Sequence, residues 1–461
     1  MRDETEGLAS AAPQPKLKPA NENPWYVLMT LYGDDHDRNR AVWNAWAGRA
    51  LTKGERQKLV DDGVIVAADF LDWENIHDEI VSKFDAEFRR RNEPHCSVPN
   101  FPDPRHPIRL SKITVEHSLE LQRWCFPSSV YISLVCFNGD VDFDDALFLG
   151  DLSIRRTVFE CGVNFLGASF FGRTSFSATF GDDVSFSISK FYKSIVFHDS
   201  EFKGYVSFSR VVFSEDANFI DTIFKRRSSF EMARFQGRAR FLDVVFGEPG
   251  EVEASFPSFR DCQFENPTSF RQASFLNAYP DFSGAILDDR TTFTAREEPT
   301  ESEVKANRNL KGAVYWPYQT KQDSEVARET CATIRHILAK QGLPEDEHFF
   351  FRREMHFAGK IGSLWQRLPY LLFGLFSEYG YSILRPTLWL LGIWALGFAA
   401  FWGYFSGCCV PAPHEVIERP MGSAMALSLS NLFPLFGFGR TFLLEELKAL
   451  PAVLQFFSGF Q

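Results

Sequence analysis

The sequence predicts a mainly β protein: a solenoid of short strands, set between helical segments and followed by a transmembrane helix. Three observations carry this. Phenylalanine is heavily used, 49 residues against 12 tyrosines in a chain of 461, and such a bias marks one position of a repeating unit that keeps demanding one side chain. The phenylalanines recur at steps alternating between five and six residues over more than a hundred positions. Pro386 to Phe405 then run for twenty positions without a charge, the length of helix that crosses about 30 Å of hydrocarbon.

Residues 1–23 are polar and rich in Pro and Ala, without the apolar core of a signal peptide, and are expected to form a disordered tail. Residues 24–125 mix aromatic and charged side chains and are expected to form a small helical region. Leu51-Thr52-Lys53-Gly54-Glu55 reads as a helix entry with Thr52 as N-cap. The run Asp34-Asp35-His36-Asp37 follows Tyr32-Gly33 and reads as solvated turn residues rather than a metal site.

The ruler then runs Phe143, Phe148, Ile154 as a substitute, Phe159, Phe165, Phe170 and Phe176, with one shortened step to Phe186. It continues through Phe191, Phe197, Phe202, Phe208, Phe213, Phe219, Phe224, Phe230, Phe235, Phe241 and Phe246. Neither a helix of period 3.6 nor a flat strand of period 2 keeps such residues on one face. A coil with short sides and a turn at each corner does, and it stacks the rings in columns. Two residues before many of these rings stand small or β-branched side chains, among them Ala168, Val184, Ile195, Val206 and Val211, which fit the space beside a ring. Gly247-Glu248-Pro249-Gly250 interrupts the pattern and is expected to begin an inserted loop, after which it resumes at Phe259, Phe264, Phe270, Phe275, Phe282 and Phe293. With about twenty-two residues per coil and strands about 4.8 Å apart, the run makes roughly seven coils.

On these residues, 126–293 resemble the pentapeptide-repeat family in its Phe-rich variant. The resemblance implies a right-handed quadrilateral β-helix. It also implies two kinds of use, since some members resemble duplex DNA in shape and charge and inhibit gyrase, whereas others are joined to membrane segments.

Residues 315–363 are expected to form a helical hairpin. Val326, Ala327, Ala332, Ile334 and Leu338 have helical spacing up to a stop at Gly342 and Pro344, and a second helix from about Glu345 carries Phe349, Phe350, Phe351 and Met355 as core aromatics. Residues 368–461 read as a membrane domain. Leu368 to Phe376 are expected to lie along the inner surface, the span is 386–405, and Arg352, Arg353, Lys360, Arg367 and Arg385 precede it, which places the solenoid in the cytoplasm, while the resemblance implies that the membrane is a bacterial inner membrane. Residues 423–440 are uncharged up to Gly439 but broken by Pro434, Gly437 and Gly439, the plan of a short helix followed by a re-entrant loop. Here the chain is similar to the two-helix ion-channel domain at the C-terminus of some bacterial pentapeptide-repeat proteins. Leu435-Phe436-Gly437-Phe438-Gly439-Arg440 lies over the potassium filter Thr-Val-Gly-Tyr-Gly-Asp, with Ser430, Asn431 and Pro434 leading into it. Leu435 departs from the filter's hydroxyl, and Arg440 sets a positive charge at the cation entrance. Leu450 to Gln461 is apolar and is expected to be the start of a second span, since twelve residues do not cross a bilayer.

The net charge of −11 opposes binding to a phosphate backbone, so nucleic acid is not an expected partner. The eight cysteines form no CxxC pair and are expected to be reduced, with no metal and no cofactor. There is no phosphate-binding glycine loop, nucleophile elbow or HExxH, so no enzyme is expected. Three readings stand: an oligomeric, potassium-like channel subunit with a cytoplasmic docking solenoid, a non-conducting membrane scaffold for a protein partner, and a DNA mimic. Arg226, Arg227, Arg234, Arg238 and Arg240 weigh against the last.

Overall fold

The computed structural model describes residues 17–61, 63, 73–94, 96–248, 256–294, 315–318, 320–406 and 420–432. The chain divides into two compact units, one up to Phe357 and one from Ala358 onward.

The first unit opens with helices α1 (Pro24–Met29), α2 (His36–Gly48), α3 (Lys53–Asp61) and α4 (Trp73–Arg91). Their entries are capped by the local sequence. The Asn23 side chain accepts from the Trp25 amide, with Pro24 at the first helical position. Asp35 accepts from the Arg38 amide, so the acidic run at 34–37 is the entry of α2. Glu55 donates its amide to Thr52 Oγ1 at 3.3 Å and accepts the Thr52 amide at 2.8 Å, closing a capping box.

A parallel β-solenoid of about eight coils follows. Each coil has four sides: a first face (Val130–Ser133 in one coil, pairing with Leu152–Arg155 of the next), a second (Cys136–Phe137 on Val158–Phe159), a third (Val141–Asp142 on Val163–Asn164) and a fourth (Leu147–Phe148 on Ser169–Phe170). The first coil lies at Ile108–Val115, ahead of the first ring at Phe126, because Leu110, Val115 and Leu121 take the inward positions there. A count of phenylalanines does not see it, and this accounts for the extra coil.

The columns are continuous. Phe165, Phe170, Phe176, Phe186, Phe191, Phe197, Phe202, Phe208, Phe213, Phe219, Phe224, Phe230, Phe235 and Phe241 are each at most 1% exposed. Rings one coil apart stack nearly parallel, as in Phe186 on Phe208 (5.0 Å, 1°), whereas rings facing each other from the first and third sides meet edge-on, as in Phe197 and Phe208 (5.6 Å, 81°). Both geometries suit the ring quadrupole and contribute about 0.5–1.5 kcal/mol per pair beyond burial. The small residues two positions earlier, Ala168, Val184, Ile195, Val206 and Val211, are also buried.

The shortened step has a clear cause. Thr174–Phe180 has seven residues where Leu152–Phe159 has eight, and the register shifts between Ser177 and Ala178, so Arg156 has no counterpart. The deleted residue is a corner residue, and Phe180 keeps its place in the column, stacked on Phe159 at 5.2 Å and Phe202 at 4.7 Å. Elsewhere that corner turns through left-handed residues such as Leu134, Arg156, Asp199, Asp221 and Asp243, and the opposite corner through Asp145, Gly167, Ile188, Arg210 and Met232.

Both ends of the stack are covered, as a parallel solenoid requires. Lys18–Pro19 pairs with Ile113–Thr114 at the first edge. Trp43 of α2 donates to the Cys125 carbonyl at 2.8 Å and packs on Trp124 and Phe126, while Asn44 bonds both Arg123 O and Cys125 N. At the far end lie α5 (Ser324–Gln341) and α6 (Pro344–Ala358), separated by left-handed Gly342. Trp316 packs between Phe275 and Phe350, and Thr330 donates to the Pro280 carbonyl at 2.6 Å. Residues 249–255, where the inserted loop was expected, lie outside the described residues, and the columns continue past them with Phe259 stacked on Phe230 at 4.8 Å.

The second unit contains α7 (Leu364–Ser377), α8 (Leu384–Phe405) and α9 (Pro420–Leu432).

Candidate functional site

The outward residues of the third face form a groove of about 530 Å³ over the early coils. Its floor is a register-locked ladder, Glu120 beside Asp142, Asp142 beside Asn164, and Ser185 beside Ser207. Asp140 and Asp183 stand on its rim. Each rim carboxylate accepts a backbone amide from the next coil, Asp140 from Gly162 at 3.0 Å and Asp183 from Tyr205 at 2.7 Å. Asp142 accepts from the Asp144 amide and from Asn164 Nδ2, both through Oδ1, and from Gln122. Further along, hydroxyls take over, with Ser187 bonded to Ser207 at 2.7 Å and Ser209 to Ser229 at 2.9 Å.

Among the described residues, the carboxylates of this region form no ion pairs, although Arg123 stands near enough to act on Asp144. Between residues 116 and 183 stand ten Asp and Glu against four Arg, a difference of six negative charges. None of the ten forms an ion pair with a described residue. The crowding registers on Asp144, whose carboxyl is pushed above its ordinary range by burial and then by Asp145 and Asp142. The groove therefore offers uncompensated negative charge beside a row of hydroxyls, which suits guanidinium and ammonium groups.

The buried thiols are poorly suited to nucleophilic use. Burial pushes Cys125 up to about 12 and raises Cys262 and Cys331 as well. A group that sequence reading passed over is His198 with Asp199 and Asp221, whose ligand atoms lie within 4.8 Å of one another. The signal was a carboxylate repeated one coil later at the same corner. His198 Nε2 is 3.2 Å from Asp199 and its Nδ1 is 4.0 Å from Asp221, all three at the surface or half-buried.

In the second unit, α8 is long and apolar enough to cross a membrane, with 22 residues and Arg385 as its one charged side chain. Helix α9 runs back along it. Ala424 and Leu427 pack on Phe401, Tyr404 and Phe405, and Ser428 Oγ donates to the Trp394 carbonyl at 3.0 Å. The described part of α9, thirteen residues, is about 20 Å long. Of the pore candidates, Ser430 and Asn431 fall on its last turn. Pro434, Leu435, Phe436, Gly437, Phe438, Gly439 and Arg440 lie outside the described residues, as does 450–461.

No protein-family model, no curated protein and no solved structure matches this chain.

Proposed function

We propose that the chain is a membrane-anchored docking protein of a bacterial inner membrane, whose cytoplasmic solenoid receives a cationic segment of a protein partner along the third-face groove. The observation that carries this reading is the set of carboxylates on the early coils, Glu120, Asp140, Asp142 and Asp183 around one groove, that form no ion pair among the described residues. Solvated carboxylates placed close together repel, and a sequence that surrounds them with hydroxyls rather than lysines leaves that charge for something else to neutralise. The apolar helix α8 supplies the anchor.

The test uses the full chain reconstituted in vesicles and an arginine-rich peptide, with a glutamate-rich peptide of equal length as control. The arginine-rich peptide is expected to bind with steep salt dependence. The combined Asp140→Asn, Asp142→Asn and Asp183→Asn variant is expected to lose roughly ten-fold or more in affinity, at about 0.5–1 kcal/mol per surface charge pair. Equal binding by the variant and the native chain refutes the groove.

A second reading is favoured by α9, whose described residues pack antiparallel on α8 with Ser428 bonded to the Trp394 carbonyl, as a pore helix packs on its outer helix. Here the chain is one subunit of a homo-oligomeric, potassium-like channel. Ion flux through vesicles carrying the protein, lost in Gly437→Ala or Gly439→Ala, supports this. Sealed vesicles leave the scaffold.

A further inference from the structure

We propose that α7 is a monotopic helix, lying in the headgroup layer of the leaflet that α8 enters, with its apolar face on the acyl chains; this rests on reading α8 as a span. The sequence of α7 is amphipathic. Gln366, Arg367, Tyr370, Gly374 and Ser377 recur at steps of one, three and four along one stripe. Leu364, Trp365, Leu368, Leu371, Leu372 and Leu375 occupy the rest and are exposed, Leu364 and Trp365 by more than 80%. No residue of this helix is buried. An apolar face of this extent exceeds what a water-facing helix carries, and its polar stripe keeps it out of the hydrocarbon.

What assigns the occupant is the joint with α8. The chain turns through three successive left-handed residues, Glu378, Tyr379 and Gly380. Arg385, in the first turn of α8, donates to the Gly374 carbonyl at 3.1 Å and pairs with Glu378 at 3.6 Å. One turn on, the Trp389 ring packs on Phe376 at 5.0 Å. The C-terminal end of α7 is thus fixed to the entry end of α8, the level at which a span meets the headgroups. Exposed leucines stand on both sides of this joint, Leu371, Leu372 and Leu375 on α7 and Leu384, Leu388 and Leu391 on α8, and the same lipid covers both.

Depth measurements on the full chain in phosphatidylethanolamine–phosphatidylglycerol vesicles test this. Cys96, Cys136, Cys161, Cys408 and Cys409 are replaced by Ser, and the buried Cys125, Cys262 and Cys331 are left in place. Leu371→Cys, Tyr370→Cys or Ala395→Cys is then labelled with nitrobenzoxadiazole. The expected result is a blue-shifted label at 371, quenched more by lipid spin-labelled near the headgroup than near the chain end. The label at 370 is quenched by aqueous iodide, and that at 395, mid-way along α8, mainly by the deep spin label. A label at 371 that iodide reaches as readily as at 370, or that neither lipid quenches because protein covers it, overturns the inference while 395 stays deep. Iodide quenching at 395 overturns the span reading and the inference with it.

Discussion

The early coils, 116–183, and the later ones, 184–248, have the same interior and opposite exteriors. Inside, Phe143, Phe165, Phe208 and Phe230 belong to one column at nearly constant spacing, 4.9 Å between the first two and 4.9 Å between the last two. Outside, the early coils carry an excess of six negative charges and form no ion pair through them among the described residues, whereas the later coils have eight Asp and Glu against ten Lys and Arg. There Lys193 meets Glu215 at 2.9 Å, Lys225 meets Glu201 at 3.0 Å and Glu248 at 3.2 Å, and Arg240 meets Asp216 at 3.3 Å. The difference teaches that a solenoid separates stability from display. Inward positions repeat because the coil below fixes their shape, and outward positions are free to diverge along one rod.

The largest expected effects test the shared interior. Phe165→Ala and Phe208→Ala remove rings that are both fully buried, and each is expected to cost about 3–5 kcal/mol in denaturant unfolding. If the early ring costs far less than the late one, the two halves are not one cooperative core. Next come the corners where coils touch through backbone. A Cβ at Gly172 would lie 2.3 Å from the Gly150 carbonyl carbon, and one at Gly237 would lie 2.2 Å from that of Glu215. Gly172→Ala and Gly237→Ala are each expected to destabilise by about 1–3 kcal/mol, since neither carbonyl is a flexible tip. A smaller, opposite effect is expected at Ile188, a β-branched residue held at φ 63° and half exposed. Ile188→Asn relieves a conformation that costs an ordinary side chain about 1–2 kcal/mol and is expected to raise the unfolding midpoint.

The interior was legible in the sequence because one residue type served as ruler. The signal failed where the column used Leu or Val, as at Leu110, Val115 and Leu121, so the first coil was missed. It also failed at Phe180, where a corner residue is deleted and the ring arrives a step early. The caps were half legible, since the caps of α2 and α3 rest on local sequence, whereas the docking of Trp43 on Cys125 joins residues 82 apart in sequence. The groove was not legible. Its carboxylates stand one coil apart, and only the stacking shows that no lysine or arginine among the described residues lines the space between them. The apolar span was read from composition alone, but the joint between α7 and α8 depends on three left-handed residues, two of them not glycine.

The smallest expected effect gives the sharpest contrast between the halves, because its sign reverses. On the early coils the Asp144 carboxyl is raised by burial, then by Asp145 and Asp142. Its folded pKa lies above the unfolded one, so the folded state is favoured below both values, and that advantage is lost as pH rises through the folded pKa. Asp144→Asn is therefore expected to raise the melting temperature at neutral pH and to leave it unchanged in acid. On the later coils the hydrogen bond from Lys193 holds Glu215 below its ordinary value. Its contribution is present above the unfolded pKa and is lost as pH falls through the folded one, so Glu215→Gln is expected to lower the melting temperature at neutral pH and to be silent in acid. Melting curves of both variants across that range decide the matter. Shifts of the same sign at neutral pH break the contrast, because the carboxylates of the early coils would then be compensated within the chain and not left for a cationic partner.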